Sequence, residues 1–384
     1  MVGRAKRISL PYEKWSESLI STKHLKQKKR PNIAEKQNIS IKKIGLLHVD
    51  QKNRIAIIPR TFLGGENEKN RYNLQTSRQR YEELLADKNF ETVVLNEEEH
   101  KNLAESLEKL NPDGLVSMLS DKIDATLLAK MPNLKVVSNY AVGFNNIDLA
   151  YCREHGITVT NTPGVLTDST ADIAILLLLM TSRRAVEAEK YAREGKFKGW
   201  APELFNGVSL NGKKFGVLGM GRIGFATAKR AKAFGLDIIY WSRRRNEEAE
   251  KELGAKYYEF AELLKECDFL SLHLPYVPEL HHMIGAKELK TMKKSAIIIN
   301  TARGQLIDEA ALADALEKKE IYAAGFDVYE FEPKINEKLM TLENAALLPH
   351  IGSSAVETRS EMARMVIDDC CAVLCGKNPE NLVK

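Results

Sequence analysis

The chain has no long apolar run, few cysteines, and no repeated or low-complexity tract. Its longest purely apolar stretch is residues 173–180, preceded by Asp172 and closely followed by Arg183-Arg184. A membrane span needs about 20 such residues, so this stretch reads as part of a buried helix and no membrane association is expected. The five cysteines are an odd number, and no apolar signal core follows the start, which points to reduced thiols in a cytoplasmic setting. Cys370, Cys371 and Cys375 sit close enough to suggest metal ligands. No spaced partner pair exists elsewhere, and they lie in an amphipathic run with Met362, Met365 and Val366, so they read as small buried helix residues with no metal.

Acidic residues are scarce at the start. Residues 1–53 hold 13 Lys/Arg against 4 Asp/Glu, so this arm carries +9 while the whole chain carries +5. Lys23, Lys26, Lys28, Lys29 and Arg30 form the kind of cluster that binds polyanions or directs nuclear import. The plainer reading is a solvated extension, and nucleic acid is not an expected partner. Glu13 and Glu17 interrupt the basic stretch and argue against a transit peptide.

What the chain does have is regular alternation. Its 384 residues, 44% apolar and 28% charged, suit two domains with a core each. Short β-branched or apolar runs at 54–60, 92–95, 114–118, 135–138 and 157–160 read as strands, separated by helical stretches at 77–88, 101–110 and 125–131. A long helix over 168–184 follows, with Thr167 or Asp168 as its cap. A second series gives strands at 215–218, 237–241, 269–272, 296–300, 323–327 and 345–348, and helices at 225–234, 261–265 and 309–318. The fold class is therefore α/β, two doubly wound domains with an active-site cleft between them.

Gly219-Met220-Gly221-Arg222-Ile223-Gly224 falls between strand 215–218 and a helix. There the first glycine makes a tight turn, the second admits pyrophosphate, the third lets helix pack on strand, and the helix N-terminus faces the phosphates. An acid about 20 residues on would accept the 2′-hydroxyl of NAD. None is there: strand 237–241 runs into Ser242-Arg243-Arg244-Arg245. A hydroxyl followed by guanidinium groups suits a 2′-phosphate, so NADP(H) is expected over NAD(H), with Ser242, Arg243 and Arg244 as its contacts.

Three later segments place polar groups at strand ends: Asn300-Thr301-Ala302-Arg303-Gly304, Asp327 to Pro333, and Leu348-Pro349-His350-Ile351-Gly352. Reduction of a keto acid needs a cation for the carboxylate and a proton donor for the carbonyl oxygen, and an imidazole held by a carboxylate supplies the second. His273, His281 and His282 lack such partners in this reading and are taken as structural.

With these motifs the chain resembles the D-isomer-specific 2-hydroxyacid dehydrogenases over residues 54–384. That resemblance implies two Rossmann-like or flavodoxin-like domains. Residues 54–160, completed by a C-terminal helix within 354–384, would bind substrate, and 161–353 would bind the dinucleotide. It implies Arg303 as the substrate-orienting cation, His350 as acid/base, and Glu332 as the carboxylate that orients it. Thr301, Ala302 and Asp327 would lie against the cofactor, and Val142 and Gly143 of the loop 139–144 would hold the substrate carboxylate. Within the family, the 139–144 and 165–172 segments are similar to glyoxylate/hydroxypyruvate reductases. Trp200 resembles a tryptophan lent to a neighbouring subunit, so a homodimer using the 168–184 helix is expected. Two other readings stand beside this one. A short phosphoglycerate dehydrogenase resembles the opening at 58–62, has no room after Lys384 for an appended regulatory domain, and would need basic side chains around 140–144 that are missing. A corepressor related to C-terminal-binding proteins shares fold and catalytic triplet, but would carry an acid where Ser242 stands.

Overall fold

The computed structural model describes residues 53–58, 81, 83–85 and 90–384. The basic arm, residues 59–62 of the expected first strand and opening, and most of the helix expected at 77–88 lie outside the described residues. Two all-parallel sheets carry the chain. The first has five strands in the order β2-β1-β3-β4-β5: β1 Arg54–Ile57, β2 Glu91–Val94, β3 Gly114–Ser117, β4 Val136–Asn139 and β5 Thr158–Thr160. The second has seven in the order β12-β11-β10-β9-β6-β7-β8: β6 Lys214–Leu218, β7 Asp237–Trp241, β8 Lys256–Tyr257, β9 Phe269–Leu272, β10 Ile297–Asn300, β11 Ala323–Phe326 and β12 Ala345–Leu347. In each the order reverses beside the first strand of the series, which opens a crevice at the carboxyl ends.

Both sheets are covered on both faces, and that explains the unbroken apolar strands. Along β10, Ile297 and Ile299 join one core cluster while Ile298 joins the other. Ile55 and Ile57 of β1 likewise face away from Ala56 and Ile58. A strand buried on both sides needs no polar alternation. The helix Thr167–Ser182 lies on the second sheet, with Ala174, Leu177 and Leu178 buried. Its cap is Leu166, without a side-chain bond, rather than Thr167 or Asp168. Asp168 instead pairs with Arg230 of the helix Arg222–Ala233 at 2.9 Å, and Asp172 with the same arginine at 2.6 Å.

The helix Val356–Leu374 returns to the first sheet and buries Ala363, Val366, Ile367, Cys370 and Cys371 against Ile55, Ile57, Val116 and Val136. Cys375, grouped with the other two in the sequence reading, is exposed at the helix end. The tail then covers the edge of β5: Val383 N–H donates to Val159 O (2.9 Å), and the Asp369 carboxylate accepts from Glu380 N–H (2.8 Å) and the Asn381 amide (2.9 Å). The helix expected over 101–110 is split into Glu97–Lys101 and Leu103–Leu110. Asn102 makes the break, its amide turning back to Glu98 O at 3.3 Å. Among the described residues no helix is long and apolar enough to cross a membrane.

Leu177 is fully buried under Gly325 and the sheet. Leu177→Ala should cost about 2–5 kcal/mol of stability, read as an earlier urea unfolding midpoint. An unchanged midpoint would mean that this helix contributes little to the second core.

Candidate active site

Arg303 follows β10 and crosses to the other sheet. A β-carbon built on Gly143 would collide with its Nη2, so only glycine admits the guanidinium at this backbone. Asn300, fully buried, braces the turn: its amide donates to Arg303 O (2.8 Å) and its Oδ1 accepts from Ala302 N–H (3.0 Å). Arg303 Nη1 also donates to Ala302 O at 2.6 Å. Burial pulls the guanidinium below its ordinary pKa, and the charge of Glu332 works against that shift.

The opposing loop is held by asparagines. Buried Asn139 accepts from Ser117 Oγ (2.9 Å) and donates to Gly143 O (2.8 Å) and Asn146 Oδ1 (3.1 Å). Asn161 donates to Val142 O at 2.7 Å, and Thr162 N–H to Ala141 O at 2.9 Å. The backbone around Val142 and Gly143 is thus fixed from both sides. Asn145 reaches across to Tyr276 O at 3.1 Å.

His350 stands at φ +55°, a left-handed conformation that costs a non-glycine residue on the order of 1 kcal/mol or more. Its neighbours hold it there. Asp327 accepts from Ile351 N–H (2.7 Å) and Gly352 N–H (2.6 Å), and Tyr329 Oη donates to Leu348 O (2.8 Å). His350 Nδ1 lies 2.8 Å from Glu332 Oε2, while Glu332 Oε1 accepts from Tyr329 N–H at 3.0 Å. Burial acts to raise the Glu332 carboxyl, but the His350 contact, the Tyr329 N–H and Arg303 outweigh it and hold it below the usual range. Asp327 goes the other way: burial raises it despite the two N–H donors and His350.

Beside this group is the glycine loop. Gly219 has φ +96°, and a β-carbon there would press on His273 O at 2.8 Å. One on Gly224 would collide with Gly219 O. One on Gly221 would meet nothing within 4 Å, so open space stands over the first turn of the helix Arg222–Ala233, whose end has no side-chain cap. Arg222 is exposed and Ile223 half-buried beside it. Two buried polar atoms near this crevice have no partner among the described residues, Thr301 Oγ1 and His273 Nδ1. Orphaned atoms of this kind fit a site that a polar ligand completes. His273 is held neutral, its pKa pushed by burial to about 3.

The arginine run divides. Arg245 is tied bidentately to Glu250, both bonds 2.9 Å, and lies over the Tyr257 ring. Ser242 is half-buried at the end of β7, and Arg243 and Arg244 are exposed. Asn246, which sequence reasoning missed, caps the helix Glu247–Leu253 and donates to Met220 O at 2.9 Å, joining this segment to the glycine loop. An asparagine ahead of three acids in a first turn is a cap signature. One of the histidines read as lacking a carboxylate partner has one: His282 Nε2 meets Glu330 at 2.7 Å, while His273 Nε2 meets only Ser271 Oγ at 2.8 Å.

A glycine-walled crevice next to an Arg, Glu and His group is the arrangement expected of a dinucleotide-dependent oxidoreductase. Residues 175–352 match the family model for the D-isomer specific 2-hydroxyacid dehydrogenase, NAD binding domain. A glyoxylate reductase of Thermococcus litoralis is 52% identical over 282 residues, 72% of this chain and 85% of that one. Another, of Korarchaeum cryptofilum, is 49% identical over 71% of this chain and 82% of its own length. Among solved structures, the NADPH-dependent glyoxylate/hydroxypyruvate reductase of Sinorhizobium meliloti, in complex with NADP and malonate, matches with a TM-score of 0.74 at 32% identity, over 86% of this chain and 97% of that one. The chain belongs to the D-isomer-specific 2-hydroxyacid dehydrogenase family. It is an NAD(P)-dependent oxidoreductase acting on the CH–OH group of 2-hydroxy acids.

Gly143→Ala tests the cleft geometry directly. The added methyl must displace Arg303, and a misplacement of about 1 Å is worth about a hundredfold in turnover. We expect kcat/KM for keto-acid reduction to fall by that order while the circular dichroism spectrum is unchanged. Near-native kinetics would show that Arg303 need not touch this loop.

Proposed function

We propose that this enzyme is an NADPH-preferring glyoxylate/hydroxypyruvate reductase in the cytoplasm. The observation that carries the reading is the convergence of Arg303 on Gly143 with the His350–Glu332 contact at 2.8 Å. Arg303, with the backbone at Val142 and Gly143, binds and orients the substrate carboxylate by charge-assisted hydrogen bonds. Glu332 engages His350 Nδ1, which leaves Nε2 to give its proton to the carbonyl oxygen. Thr301, Ala302, Asp327 and the glycine loop Gly219, Gly221, Gly224 with Arg222 and Ile223 would hold the dinucleotide, which when bound supplies the hydride. Small 2-keto acids named for the relatives fit a loop with no basic side chain at 140–144.

His350→Gln keeps the size of the side chain and removes the donor. General acid catalysis contributes about 10²–10⁴-fold, so kcat should fall by that range with NADPH affinity nearly unchanged. A kcat close to the parent value would remove His350 from the reaction.

Cofactor choice rests on Ser242 and the exposed Arg243 and Arg244, which have no ion-pair partner among the described residues. Loss of one charge-assisted contact is worth about 1.5–3 kcal/mol, roughly 10–150-fold in affinity. Arg243→Ala should therefore weaken NADPH by that range and NADH far less. Adding Ser242→Asp places a carboxylate that repels the 2′-phosphate and accepts a free 2′-hydroxyl, and should invert the preference. Nicotinamide fluorescence titrations read both, and equal affinity of the parent enzyme for NADH and NADPH would defeat this part of the proposal.

A homodimer is part of the same reading. Trp200 is 86% exposed and Phe197 61%, and both follow the helix Ala185–Arg193, where Val186 is also exposed. So much apolar surface on one excursion is characteristic of an interface. Light scattering at micromolar concentration should give twice the chain mass. A monomer there would refute the dimer.

A further inference from the structure

The loop after β9 carries His281 and His282 side by side, and Glu330 lies after β11, between Asp327 and Glu332. One ligand atom from each of the three lies within 4.8 Å of the others. His282 Nε2 is 2.7 Å from Glu330 Oε1, and the His281 ring is stacked on that of His282 with centroids 3.9 Å apart. The three make a graded cleft. Glu330 keeps 9% of its side-chain surface in solvent and His282 33%, while His281 is exposed at the mouth.

Two of the three donors are already fixed by the backbone. His282 N–H donates to Gln305 O at 2.9 Å, and the Gln305 amide donates to Glu330 O at 2.8 Å. Glu330 N–H is itself held by the Glu309 carboxylate. His282 sits at φ +52°, a strained position for a histidine, and it is this turn that brings consecutive imidazoles to the same side.

We propose that His281, His282 and Glu330 form a binding site for a divalent transition metal ion of the zinc class. Two imidazoles and one carboxylate suit zinc and its neighbours, whereas magnesium and calcium favour oxygen ligands throughout. Ligands about 2.1 Å from a tetrahedral ion stand roughly 3.4 Å apart, so this set closes with a rotation of the exposed His281 ring. The fourth corner stays open to water. Such an ion would cross-link the loop bearing Tyr276, which contacts Asn145 across the cleft, to the segment that carries Glu332. It is separate from the Arg303, Glu332 and His350 group, and none of its three side chains has a role in the reduction.

The rival explanation is a plain His282–Glu330 ion pair, which has no use for His281. Tag-free, metal-stripped, full-length protein is titrated with Co²⁺, and the visible absorption of four-coordinate cobalt is followed. The spectrum should saturate at one equivalent, vanish on addition of one equivalent of Zn²⁺, and be lost in both His281→Ala and Glu330→Gln. His281→Ala removes a ring that stacks on His282 and whose Nδ1 lies 3.5 Å from the Tyr276 hydroxyl; it belongs to no part of the Arg303, Glu332 and His350 group, so keto-acid turnover and circular dichroism should stay close to the parent. No four-coordinate spectrum in the parent, or one that survives His281→Ala, overturns the site. Because the readout is spectroscopic, either result leaves the reductase reading untouched.

Discussion

The approach of Arg303 to the backbone at Gly143 is the contact on which the rest of the site depends. It takes a cation from the end of β10 and sets it against a loop that belongs to the other sheet. A guanidinium in that position loses water and must recover the lost hydrogen bonds from fixed partners or from substrate. Both walls are accordingly built to stay still. Asn300 closes the turn on one side, and Asn139, Asn146 and Asn161 close the loop on the other. A buried asparagine network of this kind is stabilising only when each amide is satisfied, and these largely are.

The same logic explains why a strained histidine is tolerated. Parallel strands deliver all their carboxyl ends to one edge, so β10, β11 and β12 place Arg303, Asp327 and His350 within reach of each other without any special device. Fine orientation then comes from short hydrogen bonds. Asp327 grips the two residues after His350, and Tyr329 grips the carbonyl two residues before it. The backbone there has no freedom to relax out of its left-handed turn. Burial raises Asp327 while Glu332 stays low. Of these two acids near His350, Glu332 is the one paired with the ring.

Much of this was legible in the sequence, and the reason is physical. Strands covered on both faces are written as plain apolar runs, so 237–241 and 269–272 correspond to Asp237–Trp241 and Phe269–Leu272 without adjustment. The helices Leu149–Glu154, Ala185–Arg193 and Glu247–Leu253 are not legible in the sequence because each is short, with a periodicity carried by one or two buried side chains or none. Arg303, Glu332 and His350 stand out by their motifs, and the fold sets them on the segments that follow β10, β11 and β12. Asn161 has no such mark, and its partner is the Val142 carbonyl, whose closeness only the fold creates. His282 and Glu330 are 48 residues apart, and nothing in either neighbourhood announces the other.

The arginine run shows most clearly where sequence stops and structure begins. Three consecutive guanidinium groups after Ser242 are equivalent on paper, and all three favour an anion. In the fold they are not equivalent. Glu250 is held below the usual carboxylate range by Arg245 and the Tyr240 hydroxyl, so it stays charged and keeps Arg245 occupied. Asn246, bonded to both Tyr240 Oη and Met220 O, locks that cluster to the glycine loop. Selectivity is a difference between affinities, and it is set as much by the cations already neutralised as by those present. Among the described residues Arg243 and Arg244 have no ion-pair partner, and with the half-buried Ser242 hydroxyl at the end of β7 they are the groups we propose for a 2′-phosphate. The third arginine has a structural task, stapling the turn after β7 to the helix Glu247–Leu253.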